Sequence, residues 1–200
     1  VLLCLALPLA AQAKVSASQA AQLDGPLTPF GGERQGDPAL GIPAWDGGLS
    51  QAPAGYAGPG SFHVDPFAAE RPLRVIDGQT MGADLAHLSP GVVALLKAYP
   101  QSFKVPVYPS HRSFAAPAQV YANTRRNAEQ ATLAEGGNGL SNAYAGIPFP
   151  LPADGREAIW NHIARWQGRY IDEVAVTAQV TGSGSYSILR ERIQLLSNYY

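Results

Sequence analysis

The sequence has little of what most metal, redox and electrostatic chemistries require. Its 200 residues contain a single cysteine, Cys4. A disulfide framework or a thiolate metal centre needs several, so both are excluded. Charge is equally scarce: 14% of residues are charged, and 14 basic side chains against 15 acidic ones leave a net charge of −1. Nothing in that balance neutralises a phosphate backbone, and no nucleic-acid partner is expected. The four histidines, His63, His87, His111 and His162, are far apart in sequence and lack H-x-x-x-H or H-E-x-x-H spacing. No metal site and no cofactor are expected from them.

Long apolar runs are also missing. The longest, Val1 to Ala13, is interrupted by Pro8 and precedes the first charge at Lys14. It is too short for a bilayer span of about 20 residues. With Ala11-Gln12-Ala13 as an A-x-A cleavage site, residues 1–13 read as a truncated signal peptide and Lys14 as the mature start. That reading expects a periplasmic protein with no transmembrane span and no cysteine in its mature chain. Leu3 before Cys4 argues against a lipidated cysteine, which wants a small residue there.

What the chain does have is Gly (21 residues), Pro (17) and 46% apolar side chains. An ordinary globular chain carries roughly 12% Gly and Pro together, so turns and strands are favoured over a helical bundle. From Asp24 to Glu70 Gly and Pro are densest, with Phe30, Trp45, Tyr56, Phe62 and Phe67 spaced among them and no period of 2 or 3.6. Residues 14–70 are therefore read as a short helix, capped by Ser16 with Gln19 three residues on, followed by an extended Pro/Gly-rich arm that docks on a body.

Residues 71–200 carry the periodic elements. Ser89-Pro90 opens a helix whose Val92, Leu95, Leu96 and Tyr99 share a face, closed by Pro100. Phe103, Val105 and Val107 alternate as an edge strand, Pro117 to Glu129 reads as a helix, and Gly136-Gly137-Asn138-Gly139 reads as a turn with Asn-Gly chemistry. Asp154 and Glu157 form a capping-box signature before Ile159, Trp160, Ile163 and Trp166 on one helix face. Val174, Val176, Ala178 and Val180 then alternate with polar residues, and Gly182-Ser183-Gly184 turns the chain into a second strand. Ile193 to Tyr200 reads as strand up to the last residue, so the chain is expected to be a fragment. This order is an α+β architecture with an antiparallel sheet.

Catalytic motifs are absent. Gly182-Ser183-Gly184-Ser185 lies in a hairpin connection, unlike the strand-to-helix turn of a nucleophile elbow. Gly136 to Gly139 lacks the Lys-Ser/Thr of a phosphate loop. Asp154 and Glu157 serve a helix end better than an acid–base pair. His162 beside Trp160 is read as structural, with a buried base as the alternative. Arg125-Arg126, flanked by Asn123 and Asn127, reads as a solvated face, with a grip on a phosphate or lipid headgroup as the alternative. An antiparallel sheet facing a Trp-bearing helix either encloses an apolar cavity or packs as a filled core.

In order along the chain stand Leu27-Thr28-Pro29-Phe30-Gly31, Gly41-Ile42-Pro43-Ala44-Trp45, Leu88-Ser89-Pro90-Gly91, Leu96-Lys97-Ala98-Tyr99-Pro100, Val107-Tyr108-Pro109-Ser110-His111-Arg112, Asn123-Thr124-Arg125-Arg126-Asn127, Gly146-Ile147-Pro148-Phe149-Pro150 and Ala158-Ile159-Trp160-Asn161-His162. Together they resemble the N-terminal half of the bacterial domain-of-unknown-function family numbered 1329, whose members are much longer exported proteins, often labelled outer-membrane lipoprotein-sorting proteins. The resemblance implies a LolA/LolB-like fold, a curved antiparallel half-barrel with packing helices around a hydrophobic cavity, incomplete in a chain of this length. It also implies lipid traffic near exporters and no catalytic residues. The resulting expectation is a non-enzymatic carrier or chaperone whose partner is a hydrophobic ligand or lipid acyl chain, with Trp160, Ile163, Trp166, Val174 and Val176 facing the interior as ligand-binding residues. The rival expectation is a structural or assembly partner of an exporter or outer-membrane protein, with no ligand.

Overall fold

A computed structural model describes residues 15–200. The signal-peptide and Cys4 readings fall outside the described residues. The architecture is α+β, and its strands form three separate two-stranded antiparallel sheets, none of which closes into a barrel.

The first helix, α1 (Ala17–Ala20), starts where expected. The Ser16 side chain accepts the Gln19 N–H while the Gln19 side chain takes the Ser16 N–H, a reciprocal capping box. The turn after it buries Leu23, which joins Val15, Ala20 and Ala128 in a small apolar core. Residues 25–73 contain no regular strand and only one short helical turn, Pro38–Leu40. Strand β1 (Arg74–Ile76) pairs with β2 (Val105–Val107), Ile76 opposite Val105 and Val75 opposite Pro106. Between them α2 (Pro90–Ala98) begins at the Ser89 cap with Pro at its first position. Of its expected apolar face only Leu96 is fully buried, while Leu95 and Tyr99 remain exposed.

Helix α3 (Ala118–Gln130) is the centre of the body. Its buried stripe is Val120, Thr124, Asn127 and Ala128, so half of the stripe is polar. A wholly buried amide and hydroxyl must find partners, and the partner here is the backbone of residues 144–149. Asn127 Nδ2 donates to Tyr144 O (2.7 Å) and Ile147 O (3.1 Å), and its Oδ1 accepts from Tyr144 N (2.7 Å). Thr124 Oγ1 donates to Val120 O (2.8 Å) and accepts from Ile147 N (2.9 Å). Asn123 Nδ2 donates to Ala145 O (2.8 Å). Gly146 makes this approach possible, because a Cβ there would lie 2.7 Å from Thr124 Oγ1 and 2.8 Å from Thr124 N.

After α3, β3 (Thr132–Leu133) and β4 (Leu140–Ser141) pair across the glycine turn. The left-handed residues of that turn are Gly136 (φ 75°) and Gly137 (φ 79°), whereas Asn138 keeps φ −92°. The expected Asn-Gly geometry therefore falls two residues earlier, on glycines that carry no steric cost there. Helix α4 (Gly155–Ile163) is capped by Asp154, whose carboxylate accepts from Arg156 N and Glu157 N. Glu157, buried, takes the Ala153 N–H at 2.6 Å. From α4 the Asn161 amide closes a second reciprocal pair on Phe149, accepting its N–H (2.8 Å) and donating to its carbonyl (2.7 Å). Phe149 and Pro148 are fully buried.

The chain ends in the expected hairpin, β5 (Tyr170–Val180) and β6 (Tyr186–Leu196), paired without a bulge from Tyr170 opposite Leu196 to Val180 opposite Tyr186. β6 stops at Leu196 instead of running to Tyr200. Ser197 N donates to Arg169 O, and Tyr199 turns back so that its hydroxyl donates to Tyr144 O (2.6 Å) and lies 3.1 Å from Gly146 O. On one face of the hairpin Arg192 holds Asp172 through two hydrogen bonds (2.8 and 2.6 Å), and that guanidinium, with Gln194 next, keeps the Asp172 carboxyl at about 2.

Replacing Asn127 with Ala removes three hydrogen bonds to the 144–149 segment and strands Tyr144 N and Ile147 O, while Tyr144 O keeps the Tyr199 hydroxyl. It is expected to cost about 3 kcal/mol in urea unfolding, whereas Thr124→Val, which keeps volume and strands one N–H, costs about 1–2 kcal/mol.

Candidate functional site

The helix α4 and the root of the hairpin enclose an apolar cavity of about 230 Å³, walled by Leu140, Trp160, Ile163, Ile171, Leu195 and Tyr200. Each wall has a local cause. Trp160 is fixed by its indole N–H, which donates to Gly137 O at 2.9 Å, so the left-handed glycine turn orients the ring. Ile163 is the last residue of α4. Ile171 and Leu195 are directly opposed across β5 and β6, which puts both side chains on the same face. Tyr200 is anchored through its hydroxyl to Ala164 O.

The five residues expected to face an interior together do not all meet. Trp160 and Ile163 line the cavity, although Ile163 remains 56% exposed. Trp166 lies beyond the end of α4 and packs edge-on against Tyr200, with ring centroids 4.8 Å apart. Val174 and Val176 are 67% and 55% exposed, and the reason is parity. Side chains alternate across a strand, so with Ile171 turned to α4 the even-numbered residues of β5 face away. Val174 and Val176 lie opposite Arg192 and Arg190, a mixed apolar and charged face without cover among the described residues. Leu140, Ile171, Leu195 and Tyr200 are the wall residues that sequence reasoning missed. A two-residue period extended back to Ile171 was the available signal.

The remaining sequence candidates resolve into structural roles. Arg125 pairs with Asp24 and lies 3.8 Å from Glu129. Arg126 sits 3.5 Å above the Tyr144 ring and donates to its hydroxyl at 2.6 Å. Both guanidiniums are thus engaged within the chain, neither forming a simple solvated face nor extending toward a headgroup. His162 is exposed, against the expected packing on Trp160, with its Nε2 3.4 Å from Arg165 Nη1. His111 stacks on Phe67 at 3.7 Å and meets Glu70 at 2.9 Å. No group of three His, Cys, Asp or Glu among the described residues is placed to hold a metal ion.

A second apolar cavity, about 210 Å³, lies among Phe30, Trp45, Phe114 and Tyr121. It fastens residues 30–49 to the body. The Arg112 guanidinium donates to Glu33 O (2.6 Å) and Arg34 O (3.2 Å), Trp45 Nε1 donates to Phe114 O (3.1 Å), and Leu49 N donates to Ser113 O (2.7 Å). Its rings pack on one another at 5.3 Å, so this cluster reads as the seam between an irregular segment and α3. No helix among the described residues is long and apolar enough to cross a membrane.

Tyr199 also borders the hairpin-root cavity, and burial pushes its phenol from 10.0 up to about 12. Burial pushes Tyr200 up as well. A folded-state pKa above the unfolded one means that the neutral phenol stabilises fully below pH 10.0, and that this contribution is lost as pH rises toward about 12. In an absorbance titration of tyrosinate, Tyr199→Phe is expected to remove the ionisation near 12 and to make the alkaline loss of stability shallower.

Comparisons with known proteins agree with the family resemblance. A family model described as "Protein of unknown function (DUF1329)" matches residues 75–200. The uncharacterized Pseudomonas aeruginosa protein PA3922 is 43% identical over 177 residues, which cover 88% of this chain. The chain spans 39% of that relative's length. No solved structure matches. With most of its length matched by the family model and by this relative, the chain belongs to the DUF1329 family.

Proposed function

We propose that the protein is a non-enzymatic carrier or chaperone for a lipid or other hydrophobic ligand, acting in the periplasm in outer-membrane traffic or export. The observation that carries this reading is the hairpin. The face that meets α4 bears Leu189, Ile193 and Leu195, all exposed, and its root closes over the apolar cavity. Burying such surface against acyl chains contributes about 0.8 kcal/mol per CH₂, enough to drive transfer without chemistry. In this reading β5 and β6 are the opening strands of a curved LolA/LolB-like sheet, and residues 14–70 are a short helix and an extended Pro/Gly-rich arm, the arm strapped to the body through Trp45 and Arg112.

A second reading, a structural or assembly partner of an exporter or outer-membrane protein, draws on two observations. The cavity of about 230 Å³ is smaller than the roughly 300–1,000 Å³ of ordinary ligand sites, and Phe62 projects almost fully into solvent from the Pro/Gly-rich segment.

Native mass spectrometry of the full-length mature protein purified from a Gram-negative periplasm, with extraction of whatever co-purifies, separates the two. The carrier reading expects a stoichiometric lipid, lost in Leu195→Asp, which puts a charge into the cavity wall, and retained in Val174→Asp on the opposite face. Protein that is always empty and takes up no lipid from vesicles would overturn it in favour of the assembly reading.

A further inference from the structure

We infer that the cavity at the hairpin root takes an anionic single-chain amphiphile, with the Arg165 guanidinium as its headgroup contact. The inference rests on the carrier reading and adds the sign of the ligand's charge. Among the residues that line this cavity, Arg165 carries the only charge, and no Asp or Glu accompanies it. Four other arginines are neutralised by a carboxylate, Arg74 by Asp84, Arg125 by Asp24, Arg156 by Asp154 and Arg192 by Asp172, and those without one do not line this cavity. Arg165 has no carboxylate partner among the described residues. Its Nη1 donates to His162 O at 2.8 Å and lies 3.4 Å from His162 Nε2, leaving Nη2 and Nε without a protein acceptor there.

The division of labour follows from the lining. Leu140, Ile163, Ile171 and Leu195 offer no hydrogen bonds, so what enters between them is hydrocarbon. Arg165 is exposed, just past the end of α4, and therefore stands at the mouth. Gln167 and Ser197, which also line the cavity, are neutral and oppose neither sign. A cationic headgroup would meet an uncompensated guanidinium, and a neutral one would leave it unused. A carboxylate or phosphate accepts from Nε–H and Nη2–H together, in a charge-assisted, bidentate contact along that edge. The small volume limits the buried part to a portion of one chain.

The test is calorimetric titration of the full-length protein with dodecanoate, dodecyl phosphate, dodecanol and dodecyltrimethylammonium, each below its micelle concentration. The expected result is that one or both anions bind at least about tenfold more tightly than the alcohol and the cation, with the stronger anion naming the headgroup as carboxylate or phosphate. Arg165→Gln should abolish that preference while leaving alcohol binding unchanged. Arg169→Gln, which removes an equal charge from a residue that does not line the cavity, should keep it. Circular dichroism confirms that both variants fold. Equal affinity for all four chains, or a preference that survives in Arg165→Gln, overturns this inference and leaves the carrier reading standing. Failure of every chain to bind overturns both.

Discussion

The placement of α3, α4 and the hairpin root depends on how one non-strand segment satisfies its backbone. Residues 144–149 run between α3 and α4 without a sheet partner, and a buried peptide group left unpaired costs as much as several good contacts supply. Side chains do what a neighbouring strand would otherwise do. Asn127 and Asn161 each present an amide that both donates and accepts, matching the paired N–H and C=O of Tyr144 and Phe149. Thr124 and Asn123 serve the positions between. Because α3 and α4 grip the same six-residue stretch, their relative placement is a consequence of hydrogen-bond geometry, and the apolar core around Leu23 and Ala128 is secondary to it.

The cavity inherits its shape from that clamp. Tyr199 reaches the Tyr144 carbonyl that Asn127 also uses, so the turn after β6 is tied to the same stretch of backbone. Through it the root of the hairpin is held against α4, and Trp160, pinned to Gly137, completes the wall. The polar network therefore positions an apolar site that none of its members enters, apart from Tyr199 at the border.

Local signals were legible and distant ones were not. The caps at Ser16, Ser89 and Asp154 stood where the residue types put them, because a cap needs only neighbours three positions away. Alternation and a Gly-rich turn were enough for the hairpin. Asn127 and Thr124 were unreadable for a physical reason: their partners lie 17 to 23 residues downstream in a stretch with no period, so polar residues at buried helix positions looked like a surface. For the site, helix periodicity found Trp160 and Ile163, and alternation found that Val174 and Val176 share a face. Alternation cannot say which face meets the helix. That depends on where the strand begins, and the anchor at Ile171 and Leu195 reverses the assignment.

The hairpin itself then poses a stability question that its sequence partly answers. An isolated two-stranded hairpin is marginal in water, and this one has apolar residues on both faces along eleven paired positions. Its stabilising contacts are concentrated at the root, where Asp172, Arg192, Gln194 and Tyr170 interlock on one face and Ile171 with Leu195 pack toward α4 on the other. Toward the tip the ladder is joined by a turn around Gly184 and the exposed Thr181 hydroxyl, which meets Ser183 Oγ and Ser185 O, with no buried packing. Stability must therefore fall from root to tip, since local opening free energy follows buried contacts. A hydrophobic ligand seated at the root would extend cover outward along the Leu195, Ile193 and Leu189 face, adding contacts where the hairpin has fewest. In the proposed carrier, loading and ordering of the hairpin are thus one process, with the apolar face serving as the binding surface and the clamped root as its fixed point.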